Sequence, residues 1–584
     1  MLGNLFRGIG ILLWGMTKTV ITLVVLTGLF AAFYFFRPIT PMPPAEGSLL
    51  EIRLVGRVSD MPPVTDGVSS LLHEAQPVTV LGDVVDALHY AADDKRLAGV
   101  LLRVDELESL GGASARVIGE AIDDYRKTSG KNVWCYGYAF TQAQYAVASH
   151  ADRLWMHPMG QVEIKGFTGE TLYWGDLLRR FGIGTEVYKA GDFKSAPEVF
   201  ERSSPSDENL EAQRTYLSDM WRTMVRSLEA GRGLQEDGIR RYIDALAAGK
   251  TMSDGAAQFQ KAFGLVDEVG DRAAFREAMK SAFVKQEALP RTDFYDYLDY
   301  RDAQASTGDG VAVLYAEGEI MDNPQFGGIV ADETVMRITQ ASADPSVRAL
   351  VLRINSPGGD AVAAEKIRAA LVSVREKGKP VIVSMGDMAA SGGYWVATGA
   401  DAIVADPMTL TGSIGVFAVL PKLEALRETW QVGYGGHATE PALSDGSLWR
   451  TTGAAQRHLM ASSVEYVYKT FKGHVSEARK LAPEAVEAVA EGRVWTGAQA
   501  LERGLVDQLG TLDNAVREAQ KRAQLPDDAP VYHWYPAPGA WWRAILSGLP
   551  LAWSKLLPAV ETAEQLLTRD AGRVMARSAA SSSL

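Results

Sequence analysis

The hydrophobic pattern divides the chain into one long apolar segment and a body of short apolar runs. Residues 8–36, GIGILLWGMTKTVITLVVLTGLFAAFYFF, hold a single charge, Lys18, and residues 19–36 hold none. That uncharged stretch approaches the roughly 20 residues that cross a bilayer as a helix. It is long for the apolar part of a cleavable signal, and bulky FYFF stands where cleavage would need small residues. The expectation is an uncleaved membrane anchor. Arg7 and Lys18 precede the uncharged stretch and Arg37 follows it, a modest bias toward a cytoplasmic N-terminus and an exported body. RPITPMPPAEG (37–47) then reads as a stiff, proline-rich linker.

In the body, GVAVLYAEGEI (310–320), ALVLRIN (349–355), PVIVSMG (380–386) and AIVAD (402–406) are short apolar, β-branched runs. Such runs predict buried strands. VAAEKIRAALVSVREKG (362–378) has helical apolar spacing and ends in glycine. Strands alternating with helices predict an α/β fold with parallel pairing and right-handed crossovers.

The body also repeats itself. QAQYAVASHADRLWMHPMGQVEIKGF (142–167) lies over SGGYWVATGADAIVADPMTLTGSIGVF (391–417). Tyr145 meets Tyr394, Asp152 meets Asp401, Pro158 meets Pro407 and Gly166 meets Gly415, each pair 249 residues apart (394 − 145, 401 − 152, 407 − 158, 415 − 166). Upstream, AGVLLRVDE (98–106) matches RALVLRINS (348–356), and downstream GLVDEVG (264–270) matches GLVDQLG (504–510). Helical patterns at 206–232 and 454–480 recur at matching places. The expected organisation is an anchor and linker over 1–45, a first α/β repeat over 46–305, a second over 306–520 and a tail over 521–584. In the tail, residues 538–559 carry three tryptophans and many leucines. They read either as a helix packed on the body or as an amphipathic contact with the bilayer.

Composition narrows the function. Hydrophobic content is 47%, net charge is −13 and there is no long basic run, which argues against a nucleic-acid partner. Cys135 is the only cysteine, which excludes an intramolecular disulfide and a cysteine-based zinc site. His150 and His157, the closest histidine pair, have no clustered carboxylates beside them and read as ordinary histidines. No metal and no cofactor are expected.

The two repeats have lost different residues. MGDMAASGGYW (385–395) packs small residues around Ser391, where the first repeat has Gln142. NSPGGD (355–360) has only an imperfect counterpart, DELESLGG (105–112). Conversely, YKAGDFKSAPEVF (188–200) holds Lys189 and Lys194, whereas no lysine occurs between Lys422 and Lys469 in the second repeat. A serine–lysine dyad split across the duplication accounts for this complementary loss; drift in two structural repeats is the plainer alternative. A serine hydroxyl needs a base, and a desolvated lysine becomes neutral near pH 7. The Gly392 N–H, following the serine, and Gly358 or Gly359 of the glycine turn are candidate oxyanion donors. Ser356, before proline and two glycines, reads better as a turn residue than as a second nucleophile. Ser413 in TGSIG also sits between glycines, and Ile164 occupies its place in the first repeat.

NSPGGD, MAASGGYW, TLTGSIGV, DFKSAPE and RVWTGAQALERGLVD together resemble the signal peptide peptidase A (protease IV) family in its long, duplicated bacterial form. The resemblance runs from the anchor to about residue 520; SPGG alone is shared with the wider Clp protease and crotonase-like superfamily. It implies tandem Clp/crotonase-like repeats and a serine endopeptidase that degrades cleaved signal peptides and other apolar peptides. It implies a single-pass protein of the bacterial inner membrane with its catalytic body outside the cytoplasm, assembled as a homotetrameric bowl. By motif match, Ser391 is the nucleophile, Lys194 (in the KSA string) the general base in preference to Lys189, and Ser413 the residue that orients the lysine. The competing readings are a catalytically degenerate membrane scaffold with a protease fold and acyl-CoA chemistry on a crotonase-like fold. The retained serine, lysine and SPGG speak against the first, and an exported body against the second.

Overall fold

The computed structural model describes residues 41–62, 77–249, 254–283, 289–304, 307–322, 328–440 and 447–536. The expected anchor and the apolar part of the tail lie outside the described residues. Among those residues, no helix is long and apolar enough to cross a membrane.

The first repeat supplies β1 (Ser48–Ser59), β2 (Val78–Val80), β3 (Leu97–Ser109), β4 (Val133–Gly137), β5 (Arg153–Met156), β6 (Gly184–Ala190), β7 (Glu268–Val269) and β8 (Arg291–Asp293). All but β6 form one sheet in the order β2-β1-β3-β4-β5-β7, with β8 also on β1. Every pairing in it is parallel. The second repeat supplies β9 (Gly310–Glu317), β10 (Ile320–Met321), β11 (Ile329–Val330), β12 (Val347–Ser356), β13 (Val381–Ala390), β14 (Ala402–Ala405), β15 (Leu410–Gly412), β16 (Val416–Lys422), β17 (Val494–Thr496), β18 (Gln508–Leu509) and β19 (Val531–Trp534). Its main sheet runs β17-β15-β13-β12-β9-β19, with β14 and β18 branching from β13. Only the short β15–β17 pairing in this sheet is antiparallel.

The near-continuous apolar runs follow from helices covering both faces of a parallel sheet. Successive strand residues point to opposite faces. Leu350 and Leu352 therefore enter one core layer, while Val351 enters another with Ile382 and Val404. The first sheet does the same, with Leu50 and Ile52 on one side and Leu49, Leu101 and Trp134 on the other.

The duplication extends to individual hydrogen bonds. The Val133 N–H donates to Asp152 Oδ2 at 2.8 Å, and the Val381 N–H to Asp401 Oδ2 at 2.9 Å. Tyr145 donates to the Leu265 carbonyl and Tyr394 to that of Leu505, both at 2.8 Å. The duplication also runs further than its sequence trace. The boundary expected at 520 falls inside the helix Leu512–Arg522, and β19 beyond it pairs with β9 as β8 pairs with β1. These closing strands have three and four residues, too few to show a hydrophobic period.

The described residues from Pro44 onward form one compact unit. The repeats are joined by an antiparallel ribbon in which β6 of the first runs along β16 of the second, from Ala190–Val416 to Gly184–Lys422.

Candidate active site

Ser391 directly follows β13 and caps the start of the helix Gly392–Ala397. Its backbone stands at φ 53° and ψ −118°, a conformation that side chains with a Cβ rarely adopt. The strand-to-helix reversal is held by the Ser391 N–H on the Gly412 carbonyl at 2.9 Å and the Trp395 N–H on the Ser391 carbonyl at 2.9 Å. The small residues around Ser391 now have a reason. A Cβ on Gly358 would lie 2.8 Å from Ser391 Cβ and 2.8 Å from the Gly392 nitrogen. Only hydrogen fits there, so the SPGG turn and the serine turn are pressed together.

Lys194 reaches this point from the other repeat. Its Nζ lies 2.9 Å from Ser391 Oγ, 3.0 Å from Ser413 Oγ and 3.1 Å from the Ser413 carbonyl oxygen. The residue is 4% exposed. Burial pushes its amine down from 10.5 to about 7, because a charged ammonium there loses its hydration. A neutral amine has two hydrogens and one lone pair. The two Ser413 oxygens accept the hydrogens, which leaves the lone pair for the Ser391 hydroxyl.

What carries the lysine across is a contact between short turns. After β6, the Phe193 N–H donates to the Glu491 carbonyl at 2.8 Å. The Gly492 N–H donates to the Ile414 carbonyl and the Ser413 N–H to the Arg493 carbonyl, both at 2.8 Å. The 491–493 turn is thus bonded to the lysine loop on one side and the Ser413 loop on the other. A Cβ on Gly492 would sit 2.5 Å from the Lys194 nitrogen, and one on Gly191 2.5 Å from the Glu491 carbonyl carbon. The Arg493 guanidinium stacks on the Phe193 ring at 3.4 Å, which packs the same junction. Gly191, Phe193, Gly492 and Arg493 are residues that sequence reasoning passed over. The only hint was that EGR directly precedes VWTG.

The remaining candidates separate cleanly. Lys189 is exposed on β6, opposite Phe417 in the ribbon. Ser356 is fully buried, and its Oγ accepts the Gly358 N–H at 3.1 Å. Gly358 therefore contributes space, its own donor being already committed. Among the described residues, the N–H groups of Gly359 and Gly392 make no hydrogen bond, and a Cβ on Gly392 would lie 3.2 Å from the Gly359 nitrogen. Those two donors lie side by side next to Ser391.

In the first repeat, Gln142 fills the corresponding place. Its side-chain oxygen accepts from the N–H groups of Lys165 and Gly166 at 2.8 Å, and its amide donates to the Gly166 carbonyl at 3.1 Å. His150 is a buried histidine in a structural Ser–His–Asp series. Its Nδ1 is 2.9 Å from Asp123 Oδ2 and its Nε2 3.2 Å from Ser227 Oγ. Ser227 lies inside the helix Asp207–Arg232, whose backbone donors serve the helix, so no oxyanion hole accompanies it. The imidazole fills the gap left by Gly119 and Gly231 and ties two helices together. No group of three or more metal-ligating side chains occurs among the described residues.

Comparison with known proteins agrees with the duplicated architecture. The family model for peptidase family S49 matches residues 125–285 and 373–526, one match in each repeat. Protease 4 of Salmonella typhi is 38% identical over 448 residues, covering 76% of this chain and 72% of that protein. Protease 4 of Haemophilus influenzae is 33% identical over 502 residues, covering 83% and 81%. The chloroplastic serine protease SPPA of Arabidopsis thaliana is 29% identical over 501 residues, covering 82% and 70%.

Proposed function

The chain belongs to peptidase family S49 and is a serine protease, and we propose that it works through a Ser391–Lys194 dyad assembled from both repeats. The observation that carries this reading is the buried Lys194 amine 2.9 Å from Ser391 Oγ. Neutral Lys194 takes the hydroxyl proton as Ser391 attacks the scissile carbonyl. Ser413 keeps the amine aimed by accepting its two remaining hydrogens. The N–H groups of Gly359 and Gly392 receive the developing oxyanion, each such donor contributing about 3 kcal/mol at the transition state. Lys194 then returns its proton to the leaving amine, and water attacks the acyl-enzyme with the same amine as base.

The substrates in this reading are cleaved signal peptides and other apolar peptides. The sequence supports it through the uncharged segment 19–36, which would anchor the body beside such peptides. The protein is then a single-pass component of the bacterial inner membrane, facing away from the cytoplasm and assembled as a homotetramer. A serine-directed fluorophosphonate and an apolar peptide ester test the chemistry on the full chain in detergent. Labelling and hydrolysis that vanish together in Ser391→Ala support the dyad. Wild-type rates in that variant would remove it, and a wild type inert to both reagents would favour the degenerate scaffold.

A further inference from the structure

A second contact between the repeats lies behind the serine strand and plays no part in the chemistry above. Asp60, just after β1, is 5% exposed. Its Oδ1 accepts from Arg353 Nε of β12 at 2.9 Å, and both side chains are nearly sealed from solvent. Arg353 spends another nitrogen on β13, donating to Ser384 Oγ at 3.0 Å and to the Met385 carbonyl at 2.7 Å. Directly after Met385 the pairing of β12 with β13 slips, from Ile354–Met385 to Ser356–Ala389. The slip leaves Gly386, Asp387 and Met388 as a bulge that sets where Ser391 emerges. The bulge is held on both sides: Met388 donates its N–H to Asn355 Oδ1 at 3.1 Å, and Asp387 accepts from the Ser114 N–H and hydroxyl at 3.0 and 2.6 Å. Asp60 Oδ2 is buried without a hydrogen-bond partner, and a Cβ on Gly386 would lie 2.9 Å from it. One oxygen of this carboxylate thus holds the arginine while the other faces the bulge unpaired.

We propose that Asp60 is a positioning residue for the reaction at Ser391, its ionised carboxylate holding Arg353 and, through the Met385 carbonyl, the bulge that places the serine. The proposal rests on the peptidase reading of the site. Burial is the main reason the Asp60 carboxyl is raised to about 6, with Glu317 and Asp387 adding to the shift and Arg353 opposing it. The charged and titratable groups facing the pair are Glu317 and Tyr315 on β9, Asp387 on β13, Arg57 on β1 and Asp513 on the helix Leu512–Arg522. Glu317 is itself engaged by Arg57, the Ser59 hydroxyl and the Asp60 N–H. Protonation of Asp60 therefore removes the charge that holds Arg353 while the neighbouring carboxylates keep their own partners. The acid side of the activity profile then contains two ionisations, Lys194 in the site and Asp60 behind it.

The test uses the full chain in detergent and an apolar peptide ester, with kcat and KM measured from pH 5 to 9 for wild type, Ser391→Ala and Asp60→Asn. Asn is the neutral isostere of protonated Asp and keeps the shape of the niche. Expected are a kcat lowered about tenfold or more with KM within about threefold, the signature of a displaced reacting group. For wild type, log kcat/KM should fall with a slope clearly above 1, about 1.5 between pH 6 and 5, and Asp60→Asn should fall with a slope of about 1. If Asp60→Asn does not fold, the wild-type slope decides alone. A wild-type slope of about 1 down to pH 5, or an Asp60→Asn enzyme with wild-type kcat and profile, overturns the proposal. An active Ser391→Ala protein would instead overturn the peptidase reading beneath it.

Discussion

Replacing Lys194 by Met removes a buried amine and leaves a side chain of similar length, so it isolates what the amine costs and what it does. In the folded protein the amine is lowered from 10.5 to about 7. That displacement corresponds to on the order of 5 kcal/mol against the protonated form. Between those two pH values the unfolded chain binds a proton that the folded chain does not, so folding stability rises with pH across this window. Below about pH 7 the full penalty is present, because the folded state must bury an ammonium or give up its proton. Lys194→Met should therefore be more stable than wild type by several kcal/mol at pH 6 and by far less at pH 10. Urea denaturation at the two pH values reads this difference directly. The same ionisation governs catalysis: at pH 7 about half of the enzyme carries a neutral base, against roughly one molecule in 2,500 for a solvated lysine. Wild-type kcat/KM should rise through an inflection near 7, and Lys194→Arg should be inactive, since guanidinium keeps its proton at any working pH. An inflection above about 9, or a Lys194→Met protein no better stabilised at pH 6 than at pH 10, would refute the reasoning.

The Ser391 backbone gives a second prediction: Ser391→Gly should be more stable than Ser391→Ala by about 1–2 kcal/mol, because only the alanine keeps the strain of φ 53°. Equal melting temperatures would show that the turn is unstrained. Gly492→Ala places a Cβ 2.5 Å from the Lys194 nitrogen, so it should lower kcat/KM by about 100-fold through a displaced base, with the fold retained by circular dichroism. Full activity would mean that the 491–493 turn does not position the lysine. Mixing Ser391→Ala chains with Lys194→Ala chains should restore nothing, since both residues meet within one chain; recovered hydrolysis would place the dyad between chains.

Much of the architecture is legible in the sequence alone, for identifiable reasons. A gapless offset of 249 residues survives in sequence because Tyr145 and Tyr394, and Asp152 and Asp401, make the same hydrogen bonds in both repeats. Parallel strands buried on both faces write themselves as continuous apolar runs, which is how β12 and β13 were legible. The unequal retention of Ser391 and Lys194 pointed to one site drawn from two repeats, because each repeat lacks the residue that the other kept. The closing strands β8 and β19 were too short to register. Nothing along the chain states that residues 197 apart stand 2.9 Å from each other. That follows from the β6–β16 ribbon, which lays one repeat along the other, and from the turn at Glu491–Arg493, whose glycine lets two backbones touch. The choice between Lys189 and Lys194 has the same origin. Both lie in one short stretch, but the ribbon exposes the first and the turn buries the second. Burial is a property of the assembled fold, and it is burial that brings a lysine amine to about 7.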